Sequence, residues 1–532
     1  MTSSDIRTPR RPAQLSPLTL QALFDARVAE DPAHPYLRWQ GRTITIGDFE
    51  QAVNRFANAL LAQGLKRGDR VAVMLPNNPD YVIAFWAMLR LGICQVPLNI
   101  HLRGDALGYQ VTHSKPRALI VDARFAAQVE PLLQPGTLEL LIERGGKIAA
   151  GFCRHVAFEG LRDHTDASRP SVTTTQEDTV LIGYTSGTTG APKGVRVSDK
   201  MLQAAAWAAG WLGDARPGDV LHFWEPIYHI GGSQVVVLAI MERVTLAMVE
   251  RFSVSNLMDE VIAEGCTHLH FLGGVIGLLL KQPPSPKDRA HKLRLAFGGG
   301  CPKSMWREFE ARFGIPIFEC YGMTEASSFT TVNREGRLGS VGKPLPYFEV
   351  KIADAAGAPL PTGERGEFWV REREPNLIMK GYFENPAATE AALVDGWLRT
   401  GDVGYTDADG FYYYAGRMKD SLRRRGENIS AWEVERIFAD HPAIAECAVI
   451  GVENEIGDQD LKLYIRLNSG ASFEPLALVQ WAEPRMPRFQ VPRFFAAIDA
   501  FPKTPSERIR KELLPKTTDG WDLEKSGYQL KR

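Results

Sequence analysis

Tyr184-Thr-Ser-Gly-Thr-Thr-Gly-Ala-Pro-Lys-Gly194 is the stretch on which the reading of this chain turns. It follows Val180-Leu-Ile-Gly183, an apolar run with the character of a strand. Gly187 and Gly190 let backbone N–H groups come close to phosphate oxygens, the hydroxyls of Thr185, Ser186, Thr188 and Thr189 add donors, and Lys193 supplies a positive charge. Such a loop suits a polyphosphate. It is not the G-x-x-x-x-G-K-[ST] loop of P-loop nucleotidases, because three residues separate Gly190 from Gly194 and Lys193 precedes a glycine. Read alone, the segment also admits a Thr/Gly-rich turn with no ligand, so the rest of the chain has to decide.

Outward from this loop, helical and strand-like patterns alternate. Thr45-Ile-Gly-Asp48 has the spacing of a capping box, and Phe49, Val53, Phe56, Leu60 and Leu61 follow at helical intervals until Gly64. Arg70 to Leu75 reads as a strand ended by Pro76, and Asp80 to Leu91 as a helix. Further strands are expected at 118–121, 180–183, 269–272 and 293–297, which predicts an α/β domain of layered, mostly parallel sheets. From about 335 to 416, short strands and turn dipeptides suggest a small β-rich subdomain. The charged run after Gly416 marks a boundary, and helix and strand resume from Glu433 to Ile450. The expected division is 1–416, a hinge at 417–420, and a small mobile α+β domain at 421–532.

Composition narrows the function classes. At 532 residues the chain exceeds one hydrophobic core, and 62 basic against 63 acidic residues give no reason to expect nucleic-acid binding. Six scattered cysteines without a C-x-x-C pair indicate neither a disulfide framework nor a zinc site, which fits a reducing cytoplasm. The basic N-terminus lacks the apolar segment of a signal peptide, and no apolar run is long enough to span a bilayer. Val235 to Ile240 is read as buried core. His268 and His270 alternate on a strand without a third ligand at suitable spacing, so they are read as structural.

Five more segments complete the pattern: Gly298-Gly299-Gly300, Tyr321-Gly322-Met323-Thr324-Glu325, Thr400-Gly-Asp402, Gly416-Arg417-Met-Lys419-Asp420 and Gly426-Glu427-Asn428-Ile429. In kind, order and separation, these together with the Thr/Gly loop resemble the signatures of the adenylate-forming superfamily, which includes acyl-CoA synthetases, over roughly residues 15 to 515. In texture the chain is similar to carnitine/crotonobetaine-type and medium- to long-chain acyl-CoA ligases.

The resemblance implies a reaction: a carboxylic acid is activated with ATP and Mg²⁺ to an acyl-AMP, and the acyl group passes to coenzyme A. It places the Thr/Gly loop between strand and helix over the β and γ phosphates, with Thr185 and Lys193 taking part in catalysis. It puts Tyr321 on the adenine, the Gly298–Gly300 turn along the base and acyl group, Thr324 on the α phosphate and Glu325 on Mg²⁺. Asp402 and Arg417 would hold the ribose, Lys419 the hinge, and Gly426, Glu427 and Asn428 the pantetheine tunnel. His229, in Tyr228-His-Ile-Gly-Gly232, matches a gate position at the carboxylate pocket. Trp224, Glu225 and Tyr228 are candidates for holding a quaternary ammonium. One departure stands out. Where the family has a catalytic lysine, this chain has Arg508, and arginine presents a planar fork in place of a compact ammonium. Lys511 is the candidate substitute. Transfer to a carrier protein, or a degenerate nucleotide-binding homologue, are the alternative readings. Oligomeric state is not legible, although homodimers are common among soluble enzymes.

Overall fold

Capped amphipathic stretches become the helices. Thr45 accepts the Asp48 N–H at 3.1 Å and donates to its carboxylate at 2.8 Å, starting the helix Ile46–Ala62. That helix turns Phe49, Val53, Phe56 and Leu60 inward. Asn78 caps the helix Pro79–Leu91, which ends at Gly92 in a left-handed conformation. The computed structural model describes residues 15–149, 153–185, 192–272, 274–418, 421–424, 427–453, 459–486, 488–503 and 509–530.

The chain forms two compact units, Met1–Val350 with Val370–Arg399, and Lys351–Trp369 with Thr400–Arg532. The first unit carries two large sheets. A seven-stranded sheet has parallel strands Arg70–Met74, Cys94–Pro97, Ala118–Asp122, Leu140–Arg144, Arg154–Ala157 and Thr179–Thr185, with Lys193–Ser198 antiparallel at its edge. A nine-stranded sheet has a parallel centre of Val220–Phe223, Thr245–Met248, His268–Leu272, Leu295–Gly299 and Ile317–Tyr321. The expected layering of mostly parallel sheets is therefore present. Leu269, Phe271, Trp306, Phe309 and Phe313 share one of its cores. The helix Ile230–Glu242 buries Val235 to Ile240 on its way back across the sheet.

The second unit holds the antiparallel pair Trp397–Thr406 and Tyr412–Arg417 over residues 402–406 and 412–417, and a four-stranded sheet whose core includes Val434, Phe438, Val449, Leu463 and Phe495. The β-rich stretch 335–416 is strand-rich as expected, although its residues are shared between the two units. Among the described residues, no helix is long and apolar enough to cross a membrane.

Candidate active site

Parallel α/β sheets offer their ligand crevices at the carboxyl ends of the strands. In the nine-stranded sheet those ends carry Trp224 to His229 after Val220–Phe223, Gly298 and Gly299 closing the strand Leu295–Gly299 with Gly300 just beyond, and Gly322 to Glu325 after Ile317–Tyr321.

The Thr/Gly segment joins two antiparallel strands, Thr179–Thr185 and Lys193–Ser198, with Thr185 paired to Lys193. This corrects the expected strand-to-helix setting: Val195 and its neighbours return beside the first strand and bury there. Ser186, Gly187, Thr188, Thr189 and Gly190 lie outside the described residues. At the base of the segment, the Lys193 ammonium stands 4.7 Å from the centre of the Tyr382 ring, a cation–π contact. The Tyr382 hydroxyl donates to Glu325 Oε1 at 3.0 Å. Backbone bonds hold the trio in place: Phe383 N–H to the Gly194 carbonyl at 2.7 Å, and Met379 N–H to the Glu325 carbonyl at 2.9 Å. Thr324 belongs to the same cluster, since a Cβ on Gly183 would lie 3.5 Å from its methyl group.

Glu325 is 5% exposed and sits in a tight turn followed by Ser327 and Ser328, both at positive φ. Behind it, a Cβ on Gly322 would come within 1.9 Å of the Ser328 carbonyl oxygen, so only glycine fits. A single carboxylate is a donor set that Mg²⁺ takes when phosphates and water complete its shell, so Glu325 fits the ion. Among the described residues, no group of three or more His, Cys, Asp or Glu side chains is placed to hold a metal without such help.

The glycine turn also has a packing basis. A Cβ on Gly298, at φ +152°, would lie 1.8 Å from the Phe271 carbonyl oxygen, and one on Gly299 would lie 3.2 Å from that of Cys320. The neighbouring strand backbone demands glycine at 298, whereas a Cβ at 299 would require the Cys320 carbonyl to give by a few tenths of an ångström. Gly300 has φ +98°. Its N–H and that of Cys301 donate to the Glu319 carboxylate at 2.5 and 3.1 Å. Burial pushes Glu319 up to about 8, against the pull of those two N–H groups.

His229 precedes the helix Ile230–Glu242, and burial pushes its imidazole down to about 4. Its Nε2 has no hydrogen-bond partner among the described residues. The turn before it is clamped by Asn77, whose amide donates to the Glu225 carbonyl at 2.7 Å and accepts the Ile227 N–H at 3.1 Å. Glu225 does not face a ligand cation. Its carboxylate is fully buried, pairs with His270 and accepts the Trp224 N–H at 3.2 Å, which removes it from the expected quaternary-ammonium group. His268 is structural, held by Thr267 Oγ1 at 2.8 Å and the Gly213 carbonyl at 2.7 Å.

In the second unit, Asp402 and Arg417 face each other across adjacent strands with Nε to Oδ1 at 3.1 Å. Lys511 Nζ pairs with Glu435 Oε1 at 2.7 Å. Lys419, Gly426 and Arg508 lie outside the described residues, and Glu427 and Asn428 are described only as strand backbone.

The AMP-binding enzyme family matches residues 24–383, and its C-terminal domain matches residues 433–508. The chain belongs to the AMP-binding enzyme family. Among its AMP-binding relatives are the crotonobetaine/carnitine–CoA ligase of Salmonella agona (strain SL483), 30% identical over 483 residues that cover 89% of this chain and 93% of the relative. That of Escherichia coli O45:K1 (strain S88 / ExPEC) is 31% identical over 477 residues, covering 88% and 92%. Among solved structures, o-succinylbenzoate CoA synthetase from Bacillus subtilis with the acyl-adenylate intermediate OSB-AMP superposes with a TM-score of 0.82 at 27% identity, over 94% of this chain and 98% of that one. The same enzyme with ATP and magnesium ion gives 0.81 at 27% identity, over 92% and 98%. The adenylate-forming fold is thus shown.

Three residues of this candidate site went unread in the sequence. Tyr382 had a local signal in Lys380-Gly-Tyr-Phe383, a glycine–aromatic pair ahead of the capping Asn385. Glu319 stands two positions before Tyr321 and looked like one more strand residue. Asn77 acts on a turn nearly 150 positions downstream, so no local pattern could reveal it.

Proposed function

We propose that this AMP-binding enzyme is an acyl-CoA ligase that converts a carboxylic acid and ATP to acyl-AMP and pyrophosphate, then passes the acyl group to coenzyme A with release of AMP. The observation that carries the reading is the chain Lys193–Tyr382–Glu325 at the base of the Thr/Gly loop, where a cation and a carboxylate are held 4.7 Å and 3.0 Å from one tyrosine's ring and hydroxyl.

A free carboxylate is a poor electrophile, and attack of its oxygen on the α phosphate of ATP converts that oxygen into part of a mixed anhydride. Glu325 would hold Mg²⁺, which would supply charge neutralisation on the phosphates. Lys193 and the loop donors would bind the β and γ phosphates, Thr324 the α phosphate, and the Tyr321 ring the adenine. Asp402 and Arg417 would hold the ribose hydroxyls. His229, kept neutral by burial, would stand at the carboxylate pocket without repelling or trapping charge there. A thiol then attacks the acyl carbon and AMP leaves. The proposed boundary between the catalytic domain and the C-terminal domain falls at 417–420, supported by separate family matches on either side. Gly426, Glu427 and Asn428 would meet pantetheine.

The test is pyrophosphate release across fatty, aromatic, alicyclic and betaine carboxylates, each with and without coenzyme A. Acid-dependent release that becomes sustained turnover with coenzyme A is the expected result. Release that coenzyme A never accelerates would move the acceptor to a carrier protein, and silence with every acid would remove the ligase reading.

A further inference from the structure

We infer that the buried Glu225–His270 pair forms the floor of the acyl pocket and selects carboxylic acids that carry a hydroxyl group distant from the reacting carboxylate; this rests on the ligase reading above.

The placement follows from the sheet. His270 is in register with Phe297 on the adjacent strand, and its ring stacks there with centroids 4.8 Å apart. Leu269 and Phe271 point into the core that holds Trp306 and Phe309, so His270 and Leu272 share the opposite face. On that face Leu272 lies against the start of the helix Ile230–Glu242, its Cδ1 only 3.6 Å from where a Cβ on Gly231 would be. Leu272 is 38% exposed, so space remains over it beside the start of this helix, two residues past His229. The helix is a crossover between two parallel strands, so it runs back down the sheet as the strand is followed toward its start. One turn below Gly231 on the helix is Gln234, and two residues below Leu272 on the strand is His270. Both are buried, and among the described residues both amide atoms of Gln234 and the Nε2 of His270 lack a hydrogen-bond partner.

Buried polar atoms are nearly always paired, and cores that need no polar group replace it with an apolar one. Here the opposite is built. Glu225, 0% exposed, fixes His270 through Nδ1, while its second oxygen accepts the Trp224 N–H. A carboxylate that orients one ring nitrogen leaves the other presented in a set direction, which is how proteins aim an imidazole at a ligand. A hydroxyl donates and accepts, so it satisfies Nε2 in either protonation state of the imidazole. An acid without it would leave that nitrogen unpaired beneath the acyl group, the situation in which polar pockets discriminate most strongly.

The experiment compares kcat/KM for pyrophosphate release in matched pairs: 4-hydroxyphenylacetate with phenylacetate, 4-hydroxycyclohexanecarboxylate with cyclohexanecarboxylate, and 12-hydroxydodecanoate with dodecanoate. The expected result is a preference of about tenfold or more for the hydroxylated member of at least one pair, falling to a ratio of about one in His270→Phe. Glu225→Gln keeps size and a hydrogen-bonding partner for Nδ1 and should lower the ratio part of the way. Imidazole ¹⁵N spectra of the wild-type protein give the answer without a variant: the His270 resonance should move with the hydroxylated acid and ATP, and stay with its deoxy partner. Turnover with no preference in any pair, or a preference that survives in His270→Phe, overturns the assignment alone. No release with any acid removes the ligase reading and this inference with it.

Discussion

The hydroxyl of Tyr382 reaches Oε1 of Glu325 at 3.0 Å. One residue lies on the return from the small strands after Val370 and the other ends the central sheet, so the carboxylate expected to hold Mg²⁺ is oriented from outside its own segment. Partners of metal-binding carboxylates change metal affinity or activity by about 10–100-fold when removed. Tyr382→Phe should therefore lower acyl-AMP formation by about that factor at limiting Mg²⁺, with part of the loss recovered at high Mg²⁺. Pyrophosphate release titrated against Mg²⁺ checks this.

Gly298→Ala should fail for a steric reason. The new Cβ would stand 1.8 Å from the Phe271 carbonyl oxygen at a φ of +152°, so two central strands must part. A loss of about 3 kcal/mol or more is expected from such overpacking at a strained backbone position. Denaturant unfolding of the variant beside Gly231→Ala, where the nearest atom is a side-chain methyl at 3.6 Å, separates the backbone clash from a generic glycine effect.

Glu319 makes stability depend on pH in an unusual direction. Burial raises its pKa from 4.5 to about 8, so between those values the unfolded chain ionises the group while the folded protein keeps it protonated. The stability it contributes is complete below the lower value and is lost as pH rises toward the upper one. His229 and His268, both pushed down to about 4, act in the other direction, losing stability as pH falls below their ordinary value. In a comparison of wild type with Glu319→Gln the histidine contributions cancel. The difference in stability should then move in favour of the variant as pH rises, by up to about 1.4 kcal/mol per pH unit. Thermal unfolding of both proteins across that range is the measurement.

Lys511 is engaged by Glu435 at 2.7 Å, and that carboxylate also accepts the Val449 N–H at 2.6 Å. Single-turnover acyl-AMP formation by Arg508→Ala and Lys511→Ala should show a loss of about 100-fold in one of them, the scale of removing one charged donor from a phosphoryl site. Thioester formation from supplied acyl-AMP should suffer less. If neither variant loses acyl-AMP formation, neither residue substitutes for the family lysine. Lys511→Ala should in addition lower the unfolding midpoint, through the broken ion pair.

Much of this was legible in the residues themselves. Periodicity and caps located the helices at Ile46–Ala62 and Pro79–Leu91 because their apolar faces are local properties of the sequence. Short apolar runs located the central strands for the same reason. The candidate residues Lys193, Thr324 and Glu325 could be proposed from the sequence because each lies within a compact motif. Glu225 was misread, since a carboxylate between Trp224 and Pro226 gives no local sign that its partner is His270, 45 positions away. The glycines of 298–300 were read only for a ligand, whereas the Phe271 carbonyl by itself demands glycine at 298. What escaped depends on which backbones become neighbours, and only the sheet order reveals that.

The Asn77 amide grips the Trp224–Ile227 turn from a loop of the other sheet. A foreign segment exchanged in around His229 keeps that grip only where its turn presents the same carbonyl and N–H to Asn77, because both bonds are made to main-chain atoms. Exchanges that carry residue 77 along with the segment keep a matched pair. The unit to exchange in such an experiment is therefore discontinuous in the gene: one turn and the single asparagine that answers it.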